Sequence, residues 1–435
     1  MFHTGKKLYV DGKEYSINEF QSSRYSYEAD ADLGLDLRRP LSDTEAYEKI
    51  LELCRDLRWR KPVSGDLLAG WIVLAPFSGA LQWRPHIWLT GTAGAGKTTV
   101  VNKILKRLVV IALNAEGPTT EAGLRGTLRG GALPVLFDEA ERSGNNSASR
   151  IEAITELMMS ASSSEGRILK GTAHQGVIGS QIRSCFCLAS INTALDRQGI
   201  ARRVTPLELM PGDTEQWKAI ERRINELPRG EELIARTVRN FKSLLANIQT
   251  FRRAVAQHFN DQPMGDQFGP LLAGAYSLVS GAEVSFEKAQ NFVAKRNWEE
   301  HKLTTEDRDE NQAVQRLLAH VLRMTRAEGP ADRTIGELIQ IVAGREDPEH
   351  VSPHEAERQL RRVGAAVSQD GGFVFVAHKS AELEKVFKGT QWEKNWRDSF
   401  DRVPGAERNQ QAVFAAGREQ KCIKIPLPSL FGVAA

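Results

Sequence analysis

The chain has 435 residues, 41 % of them hydrophobic and 26 % charged, with a formal net charge of +3. That balance excludes a disordered, collagenous or disulfide-stapled chain and provides apolar surface for two or three folded domains. So small a net charge permits a nucleic-acid partner without arguing for one.

Residues 1–40 read as short strands and turns, with a hairpin signal at Lys7–Tyr15 and Asp11-Gly12 at its turn. Ser42-Asp43-Thr44-Glu45 is a capping box that opens a helix through Leu57. The longest apolar run, Leu67 to Leu81, contains Pro76 and is too short to span a bilayer, so a buried helix is expected over 66–80. Residues 1–80 together read as a small leading collar. From 85 to 210 strands and helices alternate, with apolar strands at 86–90, 109–114, 133–137, 184–190 and 205–209. Each suits a parallel sheet buried on both faces. Residues 214–300 read as helical, with Leu233, Val238, Phe241, Leu245, Ile248, Phe251 and Phe259 on one core stripe.

Thr304 to Glu310 is a charged stretch and marks a domain boundary. Beyond it the pattern gives helices at 311–327, 334–344 and 353–363, then a hairpin over Ala365–Val376 with Asp370-Gly371-Gly372 at its turn. Three helices followed by a β-ribbon is the winged-helix order, in which the third helix meets DNA. That helix carries Arg358, Arg361 and Arg362 beside Glu355 and Glu357, so a DNA-binding face and a protein-contact or solvated face stay equally open. Cys54, Cys185, Cys187 and Cys422 have no zinc spacing, and Cys185 and Cys187, alternating on one apparent strand, read as small core residues. With no signal peptide read at the start, the expected location is the cytoplasm of a bacterial host cell.

The chemistry concentrates between 91 and 203. Gly91-Thr92-Ala93-Gly94-Ala95-Gly96-Lys97-Thr98, followed by Thr99, fits G-x-x-x-x-G-K-[ST] between an apolar strand and an amphipathic helix. The glycines let backbone N–H groups turn onto a phosphate at a helix N-terminus. Lys97 is expected on the β- and γ-phosphates of ATP, and Thr98 on Mg²⁺. Leu133-Pro134-Val135-Leu136-Phe137 is an apolar strand that ends in Asp138-Glu139. Asp138 would hold Mg²⁺ and Glu139 would activate water, which favours a hydrolase over a kinase. Cys185–Ile191 is a buried strand ending at Asn192, placed to contact the γ-phosphate or the attacking water. Arg202 and Arg203 precede the next strand, and one of them is expected as an arginine finger. Between Gly166 and Leu195 there is no acidic residue. The segment 167–183 reads as a glycine-rich hairpin, with Lys170 and His174 near its tip as candidate DNA contacts. In the segment Glu116–Arg125, Thr119 or Thr120 caps a helix that carries Glu121 and Arg125.

Taken in order, Gly91–Thr98, Asp138-Glu139, the 167–183 hairpin, Asn192 and Arg202/Arg203 resemble the superfamily III branch of AAA+ helicases. The segments Trp83–Gly91 and Thr119–Arg125 look like the helicase part of phage or prophage primase–helicases. The resemblance implies an AAA+ P-loop α/β core over 81–212, a helical region over 213–303 and a winged-helix-like domain over 304–435. It implies a homo-hexamer around single-stranded or forked DNA, ATP at subunit interfaces and 3′-to-5′ translocation. Lys97, Thr98, Asp138, Glu139 and Asn192 would act in cis, and Arg202 or Arg203 in trans. No primase domain is read in the sequence, so a primase would be a separate partner or a missing domain. A competing expectation is an AAA+ switch — an initiator, loader or defence ATPase — that binds DNA or protein without processive unwinding.

Overall fold

The computed structural model describes residues 1–435 apart from 11–12, 22–24, 129–130, 139, 141–144, 164–167, 172–176, 192–202, 299–308, 325–330, 347–350, 391, 418 and 432–435. The chain falls into two units, Met1–Glu299 and Glu300–Ala435.

The first unit opens with an antiparallel meander of β1 (Phe2–His3), β2 (Lys7–Val10) and β3 (Lys13–Ser16). Ser42 then caps a helical run that begins at Asp43. Its hydroxyl accepts from the Glu45 N–H at 3.2 Å, and the Glu45 carboxylate accepts from the Ser42 N–H at 3.0 Å, as the capping box requires. The Ser64–Leu74 helix is buried on every side, and Pro76 falls in the 3₁₀ turn Ala75–Ala80 that ends it.

A five-stranded parallel sheet organises the rest. Its strands are β4 (His86–Thr90), β5 (Leu113–Ala115), β6 (Val135–Phe137), β9 (Phe186–Ala189) and β10 (Val204–Glu208). They lie in the order β10-β4-β9-β6-β5. A separate antiparallel pair, β7 (Ile168–Gly171) and β8 (Val177–Ser180), intervenes in the chain between β6 and β9. Side chains alternate across the sheet with period two. Ile87, Leu89, Leu136, Cys187, Ala189 and Leu207 join one core. In it they meet the helix after β4 and the Ser64–Leu74, Phe241–Phe259 and Gln262–Val279 helices. Trp88, Val135, Phe137, Phe186, Leu188 and Val204 join the other, with the Glu121–Leu128 and Asn145–Ala161 helices. Burial on both faces is why these strands are continuously apolar. Apolar residues from Leu41 to Ala75, within the collar expected over 1–80, share the first of these cores with the sheet.

Two helices of that core cross at van der Waals limits. A Cβ on Gly70 would stand 1.7 Å from the Leu271 carbonyl oxygen, and one on Gly274 would stand 2.5 Å from the Gly70 carbonyl oxygen. Ser64–Leu74 and Gln262–Val279 therefore pack backbone to backbone. The stripe expected over Glu231–Phe259 is two helices, Gly230–Arg239 and Phe241–Phe259, joined at Asn240.

The second unit begins with the Asp309–Leu318 helix. The helix expected over 311–327 ends there, because Val321-Leu322-Arg323-Met324 forms strand β11, paired antiparallel with β12 (Ala331–Thr334). Thr334 and Glu337 form a capping box for the Ile335–Val342 helix. Ser352 caps Pro353–Val363, which stops at Gly364 with φ +101°. The expected hairpin is β13 (Ala365–Val367) and β14 (Phe373–Ala377). It is half of a larger sheet, β13-β14-β16-β15, completed by β15 (Glu407–Val413) and β16 (Glu419–Pro426). All four cysteines are buried and free. Among the described residues no helix is long and apolar enough to cross a membrane.

Candidate functional site

In a parallel sheet every strand ends at the same edge, and the crevice outside those ends takes the ligand. β4 ends there in Thr90, β6 in Phe137 and β9 in Ala189, with β9 between the other two. The loop after β4 turns through Gly91 at φ +144°, Gly94 at +79° and Gly96 at +93°, conformations that residues with a Cβ rarely adopt. Space demands glycine too: a Cβ on Gly91 would lie 2.3 Å from the Leu209 carbonyl oxygen. Thr92, Ala93 and Gly94 are exposed, and Ala95 is buried beneath them. The helix then starts at Lys97, continues through a π-helical stretch at Val100–Leu105 and ends at Leu108. Val100, Val101, Ile104, Leu105 and Leu108 anchor it in the core. The Lys97 ammonium donates to the Gly91 carbonyl at 2.6 Å and to the Thr92 carbonyl at 3.0 Å, which arches it over the loop. Thr98 is exposed at the same end.

Asp138 follows β6. Its N–H donates to the Ala115 carbonyl at 3.0 Å, and the Ala140 N–H donates to the Ala189 carbonyl at 2.8 Å. These bonds carry the ladder past the strand ends and hold the half-buried Asp138 level with the end of β9. Burial, and secondarily the Asp138 charge, raises the Cys187 thiol well above its ordinary range, so that thiol stays neutral. Beyond β9, the Trp88 indole N–H donates to the Ser190 hydroxyl and the Thr90 hydroxyl donates to the Ile191 carbonyl, each at 2.7 Å. Glu139, Asn192 and Arg202 lie outside the described residues. The structure thus brings Gly91–Thr98, Asp138 and the segment leading to Asn192 to one edge. Three glycines at positive φ, of which Gly91 and Gly96 also lack room for a Cβ, fit a triphosphate. A hydroxyl and a carboxylate, both hard oxygen donors, fit Mg²⁺.

Arg203 stands elsewhere. It precedes β10, whose register sets Val204 opposite His86 and Glu208 opposite Thr90. It is therefore at the far edge, where its guanidinium donates to the Met159 carbonyl at 3.1 Å. In the Glu121–Leu128 helix, Thr120 is the capping residue, accepting from the Gly123 N–H at 3.1 Å. Arg125 pairs with Glu121 at 3.0 Å one turn back.

The hairpin expected over 167–183 is the β7–β8 pair, with Lys170 opposite Ile178 in the register. The side chain of Lys170, and His174 altogether, lie outside the described residues. The segment entering this hairpin is gripped by a residue that sequence reasoning did not single out. Buried Arg84 donates to the carbonyls of Leu81 at 2.5 Å, Ala161 at 2.6 Å and Ser163 at 2.7 Å. Only its position in the run Trp83-Arg84-Pro85-His86 signalled it. Also unread were the antiparallel bridge of Trp59 to Leu209 and the packing of Trp217 on Gly96.

On the Pro353–Val363 helix, Arg358 pairs with Glu355 and Arg361 with Glu357, both at 2.7 Å. Arg361 also donates to the Val413 carbonyl at 2.9 Å. Arg362 is exposed. The three arginines thus do not present one uncompensated basic face.

No family model and no curated protein sequence matches the chain. Among solved structures it is similar to one described as SCCmec type IV Cch, active helicase, at 13 % identity and TM-score 0.55. That match covers 98 % of this chain and 78 % of the other. The NrS-1 C-terminal region (residues 305–718 of that protein) matches at 13 % identity and TM-score 0.30, over 76 % of this chain and 82 % of that one. JCV helicase matches at 12 % identity and TM-score 0.28, over 55 % and 66 %. At such identity the first match shows the fold: a parallel α/β sheet flanked by helices, as in a P-loop helicase core.

Proposed function

We propose that the chain is an ATP-driven DNA helicase motor of the superfamily III kind, acting as a homo-hexamer in the replication of a phage or mobile element. The observation that carries this reading is the convergence of a triphosphate loop and Asp138 at one edge of a parallel sheet, one strand apart. The likeness in fold to a structure described as an active helicase supports it.

In this reading the loop N–H groups and Lys97 bind the β- and γ-phosphates of ATP. Thr98 and Asp138 hold Mg²⁺, which when bound neutralises charge on the phosphates. Glu139 orients and deprotonates the attacking water, and Asn192 contacts that water or the γ-phosphate. Arg203 is separated from the loop edge by the five residues of β10. At roughly 3.3 Å per residue that is roughly 17 Å, too far to serve its own nucleotide. Its place supports the trans role for Arg203 or its neighbour Arg202, on the next subunit's ATP. The β7–β8 hairpin, with Lys170 and His174, would meet DNA phosphates in the channel. The Pro353–Val363 helix would add a DNA contact through Arg362.

The test is hydrolysis. The wild-type chain should hydrolyse ATP with Mg²⁺, Lys97→Ala should lose nucleotide binding, and Glu139→Gln should bind ATP without turnover. A Glu139→Gln variant that hydrolyses at the wild-type rate removes Glu139 from the mechanism.

A further inference from the structure

The loop turn that precedes Lys97 is walled by a tryptophan from far along the chain. A Cβ on Gly96 would stand 2.1 Å from Trp217 Cη2 and 2.2 Å from Cζ2. At the other end of the indole, a Cβ on Gly212 would stand 3.0 Å from Nε1 and 3.2 Å from Cδ1. The ring therefore fills a slot between two residues that have no side chain. Trp217 lies in the first turn of the Thr214–Asn225 helix, which Asp213 caps by accepting from the Gln216 N–H at 2.7 Å.

The placement of that helix is fixed relative to the loop. Lys103, on the helix after the loop, pairs with Glu221 at 2.9 Å. Arg107 donates to the Ile224 carbonyl at 3.2 Å and to the Leu227 carbonyl. Below Trp217, Ile220 and Ile224 are buried and supply the packing. Trp217 itself is only half-buried: it packs against the edge of the core, and its ring lies against the Gly96 turn of the loop.

We propose that Trp217 is a positioning residue of the nucleotide site. Its ring holds Gly96 at φ +93°, the turn that aims the following N–H groups at the phosphates, and it ties loop geometry to the Thr214–Asn225 helix. Removing the ring leaves Gly96 free to populate the other conformations open to glycine, so the loop must be ordered anew each time nucleotide binds. This rests on the reading that Gly91–Thr98 binds ATP, and it adds a residue outside the motif.

The experiment measures ADP binding, the KM and kcat for ATP, and intrinsic fluorescence on the full chain as wild type, Trp217→Phe and Trp217→Ala. Trp217→Ala should bind ADP about ten-fold more weakly and raise KM for ATP similarly, with kcat within about two-fold of wild type. Trp217→Phe should restore most of the affinity. ADP should change the wild-type fluorescence, and that change should vanish in Trp217→Phe. Wild-type affinity in a folded Trp217→Ala overturns the proposal while leaving nucleotide binding intact. If Trp217→Ala does not fold, an ADP-induced fluorescence change that persists undiminished in Trp217→Phe overturns it. A wild-type chain that binds no ADP or ATP instead overturns the reading of the loop itself.

Discussion

Gly70→Ala adds one methyl group at the closest helix crossing in the first unit. Its Cβ would stand 1.7 Å from the Leu271 carbonyl oxygen, 2.6 Å from the Leu271 carbonyl carbon and 3.0 Å from its Cα. These are backbone atoms of a helix, so no rotamer change relieves the clash. The Ser64–Leu74 and Gln262–Val279 helices must part by about 1.5 Å, more than the gap that forfeits half of a dispersion well. Trp71, Leu67, Leu271 and Leu272 all lie in the core that would open. Overpacking costs about 1–3 kcal/mol and occasionally more, and rigid backbone puts this site at or beyond the top of that range. Better helix propensity offsets it by at most about 1 kcal/mol. The net loss of about 2–3 kcal/mol should lower the melting temperature by roughly 3–5 °C, given an unfolding entropy of about 2.1 cal/mol/K per residue over a unit of this size. Gly126→Ala is the control: it is also in a helix, with nothing within 4 Å of the added Cβ, and should be neutral or stabilising. Thermal unfolding followed by far-UV circular dichroism reads both. A Gly70→Ala chain that melts with the wild type would refute the backbone-to-backbone crossing.

Three further outcomes follow from the same geometry. Burial pushes the His86 imidazole down to about 3, so its neutral form stabilises the fold fully above the unfolded value near 6.5. That contribution falls by about 1.4 kcal/mol per pH unit below 6.5; between pH 7 and 5 the wild type should lose about 2 kcal/mol that His86→Gln does not, and equal urea titrations contradict this. Arg84→Met strands the Leu81, Ala161 and Ser163 carbonyls that it now satisfies and should cost about 3 kcal/mol or more in chemical denaturation. On the Pro353–Val363 helix, Arg361→Ala should leave the salt dependence of DNA binding unchanged, because Glu357 already neutralises it. Arg362→Ala should lower that slope by about one, and the reverse pattern would reassign the contact.

The central sheet was legible because its strands are apolar runs bounded by turn chemistry: β4 covers the expected 86–90, and β10 lies one residue from the expected 205–209. β5 was misplaced because Val109, Val110, Ile111, Ala112 and Leu113 form one apolar run, of which only Leu113 enters the strand. Periodicity does not tell a helix end from a strand in so short a run. The helix expected over 311–327 failed for a similar reason, since Val321–Met324 is a short apolar-rich run that pairs with β12. The placement of the glycine loop and Asp138 at one sheet edge could be read because each directly follows an apolar strand in the sequence. Arg84 and Trp217 could not, because their partners are remote in sequence: Ala161 lies 77 positions from Arg84, and Gly96 precedes Trp217 by several intervening elements. The pairing of Arg358 and Arg361 was within reach, since Glu355 and Glu357 sit at helical spacing from them.

Strand separation on a forked DNA with ATP and Mg²⁺ tests the motor most directly, measured beside ATP hydrolysis for the wild type and for a Lys170→Ala, His174→Ala double variant. The wild type should unwind the fork, and the double variant should hydrolyse ATP without unwinding. A wild type that hydrolyses ATP and never separates strands would contradict the helicase reading, and a double variant that unwinds as well as the wild type would contradict the hairpin's role in it.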